Sequence, residues 1–256
     1  MTSKIKIALD CMGGDDAPTM VVRGADLALE RQPDLFFHLV GNEEEIIPLI
    51  NASRHLHSNN HKITHTHKKV AAADKPSVAL RGGRDTSMRL AIDLVSGGSA
   101  HGVVSAGNTG ALMAMSKLSL RMCPGIERPA IASFFPTLKG ESCMLDLGAN
   151  IECDASNLVQ FAIMGEIFAR LVLGLKNPSV GLLNVGSEEQ KGHEELREAA
   201  MTLRELNGVM KFIGFIEGDD ITAGTVDVVV TDGFSGNVAL NAAEGTATMC
   251  THFLRS

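Results

Sequence analysis

Short apolar runs recur along the chain, and each of them ends in a turn rich in glycine, asparagine or aspartate. Runs of this length between turn residues are typical of strands that are buried on both faces of a sheet. Such strands are predicted at residues 4–10, 35–40, 101–106, 211–216 and 226–231, and at the start of the stretch 180–195.

Between these strands, apolar residues return at every third or fourth position, which is typical of amphipathic helices. The predicted helices cover residues 17–32, a segment capped by Asn42, two segments within 75–98, a segment ending near 122, residues 154–174, a segment ending at 206, and a last segment from about 238. Asp15 or Asp16 is predicted to cap the first helix, and Asp85 the fourth.

The alternation of strands and helices predicts a mostly parallel α/β sheet. One pair departs from it, because residues 128–136 and 141–147 are apolar segments joined only by the turn TLKG, which predicts an antiparallel hairpin. We expect a single domain over 1–256. The last helix reaches residue 256 without a stop signal, so the C-terminal part of the fold is expected to be missing.

Composition narrows the function classes. The net charge is −7, and the chain has neither Trp nor Tyr, which argues against a nucleic-acid surface. Five scattered cysteines without a C-x-x-C pair favour a reducing cytoplasm. No signal peptide and no apolar run of about 18 residues is apparent, so a membrane span is not expected, while peripheral membrane contact stays open.

Five turns at predicted strand ends carry the candidate chemistry: LDCMGGD, SAGNTG, LDLGAN, LNVGSEE and TDGFSGN. Ligands of α/β sheets bind outside the carboxyl ends of the strands, so these turns predict one ligand crevice. Common motifs are absent: residues 186–191 have the wrong spacing for a P-loop, and GFSGN fails the pattern G-x-S-x-G because Asn237 replaces the last glycine.

Two clusters of titratable residues lie outside these turns. Five histidines between His55 and His67 could hold a metal, but no carboxylate or cysteine stands at ligand spacing, so an exposed loop and edge strand are favoured. Four cations form either a solvated helix face or a site for an acidic partner: Lys75, Arg81, Arg84 and Arg89.

Six segments together resemble the PlsX family of bacterial phosphate acyltransferases: ALDCMGGDDAP, VVSAGNTGALMA, RPAIASFFPTLKG, LDLGANIECDASNLVQFAIMG, VGLLNVGSEEQKG and VVVTDGFSGNVALNAAEG. The resemblance implies a three-layer α/β/α sandwich like that of isocitrate and isopropylmalate dehydrogenases. It also implies a cytoplasmic homodimer that transfers a long-chain acyl group from acyl carrier protein to inorganic phosphate. The product, acyl phosphate, feeds a membrane glycerol-3-phosphate acyltransferase. No metal and no cofactor are expected.

The chain departs from the family pattern at a few positions. Asp16 stands where the family usually has histidine, and Gly83 and Arg84 stand where it often has two lysines. Arg84 can still bind phosphate through its planar fork.

The site hypothesis follows from the chemistry of the implied reaction. Phosphate can itself attack a thioester, and the thiol that leaves has a pKa of roughly 8.5, so neither an enzyme nucleophile nor a strong acid is needed. Positioning and charge stabilisation would suffice. We assign catalytic roles to Lys191, Asn108, Asn184 and Asp232. The substrate-binding candidates are Asp10, Gly13, Gly14, Asp15, Ser105, Gly107, Thr109, Arg128, Asp146, Asn150, Gly186, Glu188, Gly233 and Asn237.

In this hypothesis Glu188 and Glu189 position Lys191, and Cys11 is a bystander. Helix or turn capping is an equally good explanation for each Asp and Asn. An acyl channel could draw on Met115 and Phe161, although core packing explains both of them more simply. Three alternatives stay open: a short-chain acyl-coenzyme A:phosphate acyltransferase, a metal- and NAD-dependent dehydrogenase, and a non-catalytic protein that binds acyl carrier protein.

Overall fold

A computed structural model describes residues 4–206 and 208–255, and the chain divides into two compact units, Met1–Cys123 and Pro124–Ser256. Each unit has its own sheet. The five polar turns therefore belong to two sheets, whereas the sequence had suggested a single crevice. The assignment of 1–256 to a single domain stays a prediction.

Unit 1 alternates strands and helices. Its elements are β1 (Ile5–Asp10), α1 (Thr19–Arg31), β2 (Leu35–Gly41), α2 (Glu43–Ala52), β3 (His61–His65), α3 (Pro76–Gly82), α4 (Ser87–Ser96), β4 (Gly102–Val104) and α5 (Thr109–Leu120). The strands pair in parallel in the order β3-β2-β1-β4.

Successive residues of a strand point to opposite faces, and this alternation places helices on both sides of the sheet of unit 1. Leu9 and Leu39 pack with residues of α1 and α2. Ala8 and Val40 pack on the other face with Ala91 of α4. Unit 1 is thus an α/β/α sandwich, and the carboxyl ends of β1 and β4 lie side by side.

Unit 2 contains the predicted hairpin. Its elements are β5 (Ala132–Thr137), β6 (Gly140–Leu145), α6 (Ala155–Val172), β7 (Ser179–Leu183), α7 (Glu194–Glu205), β8 (Lys211–Ile216), α8 (Gly218–Ala223), β9 (Val228–Val230) and α9 (Gly233–Arg255). The order is β5-β6-β9-β7-β8, and only β5 and β6 pair antiparallel among its described strands.

The sheet of unit 2 is also covered on both faces. Leu145 and Val230 pack with Phe161 of α6, and Met144 and Val229 pack with residues of α8 and α9. The fold is therefore α/β with mostly parallel sheets and one antiparallel pair, as predicted.

Helix α6 is long and apolar enough to cross a membrane by length and composition, with 18 residues and a mean hydropathy of 1.2. No such run was predicted from the sequence. Its residues Leu158, Phe161, Ala162 and Ala169 are buried against the sheet, which is how a core helix of a folded domain packs. We assign it to the core of unit 2. Phe161, and Met115 of α5, are fully buried core residues.

Several predicted helix boundaries are wrong. Helix α1 begins after Pro18, and neither Asp15 nor Asp16 caps it through a side chain. Thr86, not Asp85, caps α4; the Asp85 carboxylate instead accepts a hydrogen bond from Lys68 Nζ at 2.7 Å. Helix α9 begins at Gly233, five residues before the predicted start near 238.

The histidine cluster lies on the edge strand β3 and the loops beside it, as expected for a solvated segment. His65 Nε2 and His67 Nε2 are 3.1 Å apart. No group of three or more His, Cys, Asp or Glu side chains that could hold a metal occurs within residues 4–206 and 208–255.

His38 on β2 predicts a pH dependence of folding. Burial lowers the pKa of this imidazole, and repulsion from Lys6 and Lys62 lowers it further. The unfolded chain, with a histidine pKa of about 6.5, binds the proton more readily than the folded chain. Stability should therefore fall as the pH decreases below about 6.5. Urea denaturation at pH 7.5 and 5.5 measures this loss, which should be smaller in His38→Gln. The exposed control His252→Gln should lose as much stability as the wild type, and an equal loss in all three would contradict the prediction.

Candidate functional site

In unit 1, a cluster of polar residues lies where β1 and β4 end. Asp10 is buried, and its Oδ2 accepts a hydrogen bond from Ser105 Oγ at 2.7 Å. Ser105 Oγ in turn accepts from the N–H of Gly107 at 3.1 Å. A Cβ at Gly13 would lie 2.5 Å from Asp10 Oδ2 and 3.0 Å from Gly107 N, so only glycine fits there. Four predicted residues thus come together, and Asp10 shapes the two turns.

Asn108 caps the start of α5, and both ends of its side-chain amide are hydrogen-bonded to protein atoms. Its Oδ1 accepts from the N–H of Ala111 at 2.9 Å. Its Nδ2 donates to the carbonyl oxygens of Ala72 and Asp74, both at 2.9 Å. The side chain therefore fixes the loop after β3 against the start of α5. This leaves the N–H groups of Thr109 and Gly110, which have no partner within the helix because they belong to its first turn.

A pocket of about 670 Å³ opens at this helix start. The predicted residues Gly14, Asp15, Gly107, Asn108 and Thr109 line it. Its cation, Lys69, was not predicted; it is exposed on the loop after β3. The rule that ligands bind where strands end could have indicated Lys69, since β3 ends only four residues earlier. The positive end of α5 and this lysine suit an anion.

In unit 2, Asp146 organises the turn after β6. The side chain is fully buried. Its Oδ1 accepts from the N–H groups of Ile131 and Ala149, at 2.9 and 3.2 Å. Its Oδ2 accepts from the backbone N–H and the side-chain Nδ2 of Asn150, at 2.6 and 2.9 Å. Four donors therefore converge on one carboxylate, which holds the turn rigidly.

The turn after β9 is tied to the same place. The Gly233 N–H donates to the Asn150 carbonyl at 2.7 Å. Asp232 accepts from the N–H and the hydroxyl of Ser235, at 2.8 and 2.9 Å, and so caps α9. Asn237 Nδ2 donates to the Leu147 carbonyl at 3.2 Å. Gly233 and Asn237 thus connect the start of α9 to the turn after β6, and Asp232 caps the helix.

The loop after β7 presents Lys191. Asn184 Nδ2 donates to the Lys191 carbonyl at 3.2 Å, and the Lys191 N–H donates to the Glu188 carbonyl at 3.0 Å. The stem of the lysine crosses Gly186, where a Cβ would lie 3.1 Å from Lys191 Cγ. Among the described residues, no carboxylate lies within 4.0 Å of its ammonium group. Glu189 instead pairs with Arg204 at 3.1 Å, so it does not position Lys191 as expected.

A second pocket, of about 540 Å³, lies among the starts of α7 and α9 and the loop before α6. Of the predicted residues only Asp232 lines it. The others are Ile151, Glu152, Cys153, His193, Glu195, Phe234 and Ser235, which were not predicted. His193 Nδ1 lies 3.2 Å from Glu195 Oε2. Arg128 is exposed and donates to the Glu152 carbonyl at 3.2 Å.

The cysteines beside the two groups are poor nucleophiles. Burial raises the pKa of Cys11 to about 12, with a further contribution from the charge of Asp10. Burial also raises the pKa of Cys153 to about 11, and Asp146 and Asp232 act in the same direction. Both thiols are protonated near neutral pH, and only the thiolate is strongly nucleophilic.

Comparisons with known proteins identify relatives of the chain. The family model described as fatty acid synthesis protein matches residues 5–256. A phosphate acyltransferase of Rhodospirillum centenum is 62% identical over 255 residues, which is 100% of this chain and 72% of that protein.

Solved structures with this fold are more distant. The EutD phosphotransacetylase from Staphylococcus aureus superimposes with a TM-score of 0.67 at 16% identity, covering 96% of this chain and 83% of that one. A 4-hydroxythreonine-4-phosphate dehydrogenase from Klebsiella pneumoniae gives 0.53 at 15% identity, covering 94% and 84%. Both likenesses confirm the fold class.

Proposed function

The chain belongs to the phosphate acyltransferase family and is an acyltransferase enzyme of fatty acid and phospholipid synthesis; we propose that it takes a long-chain acyl group from acyl carrier protein and transfers it to inorganic phosphate. The observation that carries the proposal is which polar groups bond to the protein itself and which remain available to a substrate. The carboxylates of Asp10, Asp146 and Asp232 accept hydrogen bonds from the protein. The groups that suit an anionic substrate are the cations Lys69 and Lys191 and the N–H groups of Thr109 and Gly110.

Such groups bind anions and stabilise developing negative charge, and a reaction that uses them needs no covalent intermediate. An oxygen of phosphate attacks the thioester carbonyl carbon, the C–S bond breaks, and the thiolate leaves and takes a proton from water. The products are acyl phosphate and the free thiol of the carrier. The raised pKa values of Cys11 and Cys153 fit a reaction in which phosphate is the nucleophile.

In unit 1 the proposed phosphate site is the start of α5. The N–H groups of Thr109 and Gly110 would donate to phosphate oxygens, with Lys69 as the cation. Asn108 positions this helix start through its own hydrogen bonds and does not contact the substrate. Asp10 and Ser105 hold Gly107 in place in the same way.

In unit 2 the proposed charge-stabilising group is Lys191, a cation that suits negative charge developing in the reaction. Asn184 positions it through the Lys191 carbonyl. Asp232 keeps the start of α9 in place as a helix cap. Its proposed catalytic role becomes a positioning role.

The carrier protein, which is acidic in this family, would dock on the cations around α3. Lys75, Arg81 and Arg84 are exposed there, whereas Arg89 is paired with Asp93 at 2.9 Å. We further propose a homodimer that works in the cytoplasm and associates peripherally with the membrane, where a glycerol-3-phosphate acyltransferase uses the product. In support of a dimer, the edge strand β5 and α6 expose the stacked rings of Phe134 and Phe168, 5.5 Å apart.

The test is a reconstituted reaction. The chain is mixed with palmitoyl-acyl carrier protein and phosphate without added metal, and acyl phosphate is trapped as its hydroxamate. We expect acyl phosphate and free carrier protein in equal amounts. Product from acetyl-coenzyme A but not from the carrier protein would favour the short-chain reaction. Carrier binding without any product would show a non-catalytic binding protein.

A further inference from the structure

The pocket at the starts of α7 and α9 has two exposed apolar side chains on its wall. Ile151 is 59% exposed and Phe234 is 61% exposed, and both line the pocket. They stand on neighbouring turns. Gly233, which precedes Phe234, donates its N–H to the carbonyl of Asn150, which precedes Ile151, at 2.7 Å. The two side chains are therefore held on a rigid base.

The charges around this pocket decide what it can accept. Glu152, Glu195 and Asp232 line it, and His193 is paired with Glu195 at 3.2 Å. Three carboxylates and one histidine disfavour an anion such as phosphate. Asp232 accepts from Ser235, and Glu195 lies beside His193, so two of the three carboxylates already have partners. The exposed Ile151 and Phe234 then favour an apolar ligand part.

We propose that Ile151 and Phe234 bind the part of the donor's acyl chain that lies beyond its first four carbons, and so determine the preference for long chains. The proposal rests on the proposed function, in which the donor is an acyl thioester. The turns that carry the two side chains are fixed by Asp146 and Asp232, which gives these two carboxylates a reason to form so many bonds to the protein. Cys153 also lines the pocket and adds a weakly polar surface.

Burial of each methylene increases binding roughly fourfold, so removal of an apolar wall has an effect that grows with chain length. Uniform weakening at every chain length would instead point to contact with the carrier or its arm. The length dependence is thus the signature that a merely structural role does not produce.

The experiment compares Ile151→Ser and Phe234→Ser with the wild type, using butyryl-, octanoyl- and palmitoyl-acyl carrier protein at saturating phosphate. We expect KM for the palmitoyl donor to rise about tenfold or more, KM for the butyryl donor to change less than about twofold, and kcat to stay within about twofold. Val209→Ser is the matched control, since Val209 is 83% exposed elsewhere in unit 2, and it should match the wild type.

A second measurement keeps the acyl site separate from the proposed reaction. Calorimetry with lauroyl-pantetheine should show weaker binding in both variants, while Val209→Ser binds like the wild type. If the wild type forms no acyl phosphate, the proposed function fails, and calorimetry still decides the acyl site. Equal KM changes for all chain lengths, or unchanged binding of lauroyl-pantetheine in both variants, would overturn the acyl site.

Discussion

Replacing Lys191 with alanine is expected to lower kcat for acyl phosphate formation by about 100- to 1000-fold, the range seen when one donor to a developing oxyanion is removed. The ammonium group has no carboxylate within 4.0 Å among the described residues, so the charge is available to a substrate. Its stem lies over Gly186 and its backbone is held by Asn184 and Glu188. Steady-state kinetics with palmitoyl-acyl carrier protein and phosphate measures the loss.

The variant should remain folded, because only the exposed side chain is removed and the backbone hydrogen bonds of Lys191 persist. Lys139→Ala is the control: Lys139 is an exposed lysine in the β5–β6 turn of the same unit, and its removal should leave kcat unchanged. Lys191→Arg retains the charge and should recover part of the activity. A folded Lys191→Ala protein with wild-type kinetics would remove this residue from the site.

Local patterns were enough to predict most of the elements. The strand at 211–216 is found with the predicted bounds, and the short turn between 136 and 141 does join an antiparallel pair. Both follow from spacing within the chain. Apolar runs of about six residues bounded by turns are typical of strands, and a short connection allows only antiparallel neighbours. Asn42, Asn108 and Asp154 cap helices, as expected for such residues before apolar periodic segments.

The predictions that were wrong depended on contacts between distant segments of the chain. Asp85 was a plausible cap by position, but its carboxylate accepts a hydrogen bond from Lys68 instead. Glu189 was expected beside Lys191, yet Arg204, one element later, pairs with it. The sequence also could not show that the polar turns divide between two sheets, because strand order is set by packing and not by chain order.

The structure shows which groups the candidate side chains bind. Their assignment to the site stays a prediction, and the structure groups the polar residues at strand ends as two sets, one in each unit. Most of the Asp and Asn side chains hold turns, a role that the capping explanation had anticipated. Ile151 and Phe234 were missed because an isolated apolar residue beside a turn looks like any core residue until its exposure is known.

Replacing Asp146 with alanine is expected to destabilise unit 2 by about 3 to 5 kcal/mol. The fully buried carboxylate accepts from Ile131, Ala149 and twice from Asn150. Its removal leaves four donors without that acceptor in a place that water reaches poorly. The expected loss is a large share of the 5–15 kcal/mol that holds a typical domain together. Urea denaturation should show a lower midpoint by about 2 M, given a slope of about 2 kcal/mol per M.

Two further variants separate the number of acceptors from the negative charge. Asp146→Asn retains one acceptor oxygen, so if acceptor number governs, it should lose about half as much stability as the alanine variant. If the charge governs, Asn and Ala should be equally destabilising. Asp232→Ala removes only a helix cap and should cost about 1 kcal/mol. Asp146→Ala and Asp232→Ala with equal losses would contradict the assignment of Asp146 as the centre of the turn, because the four bonds to Asp146 would then count no more than the two at Asp232.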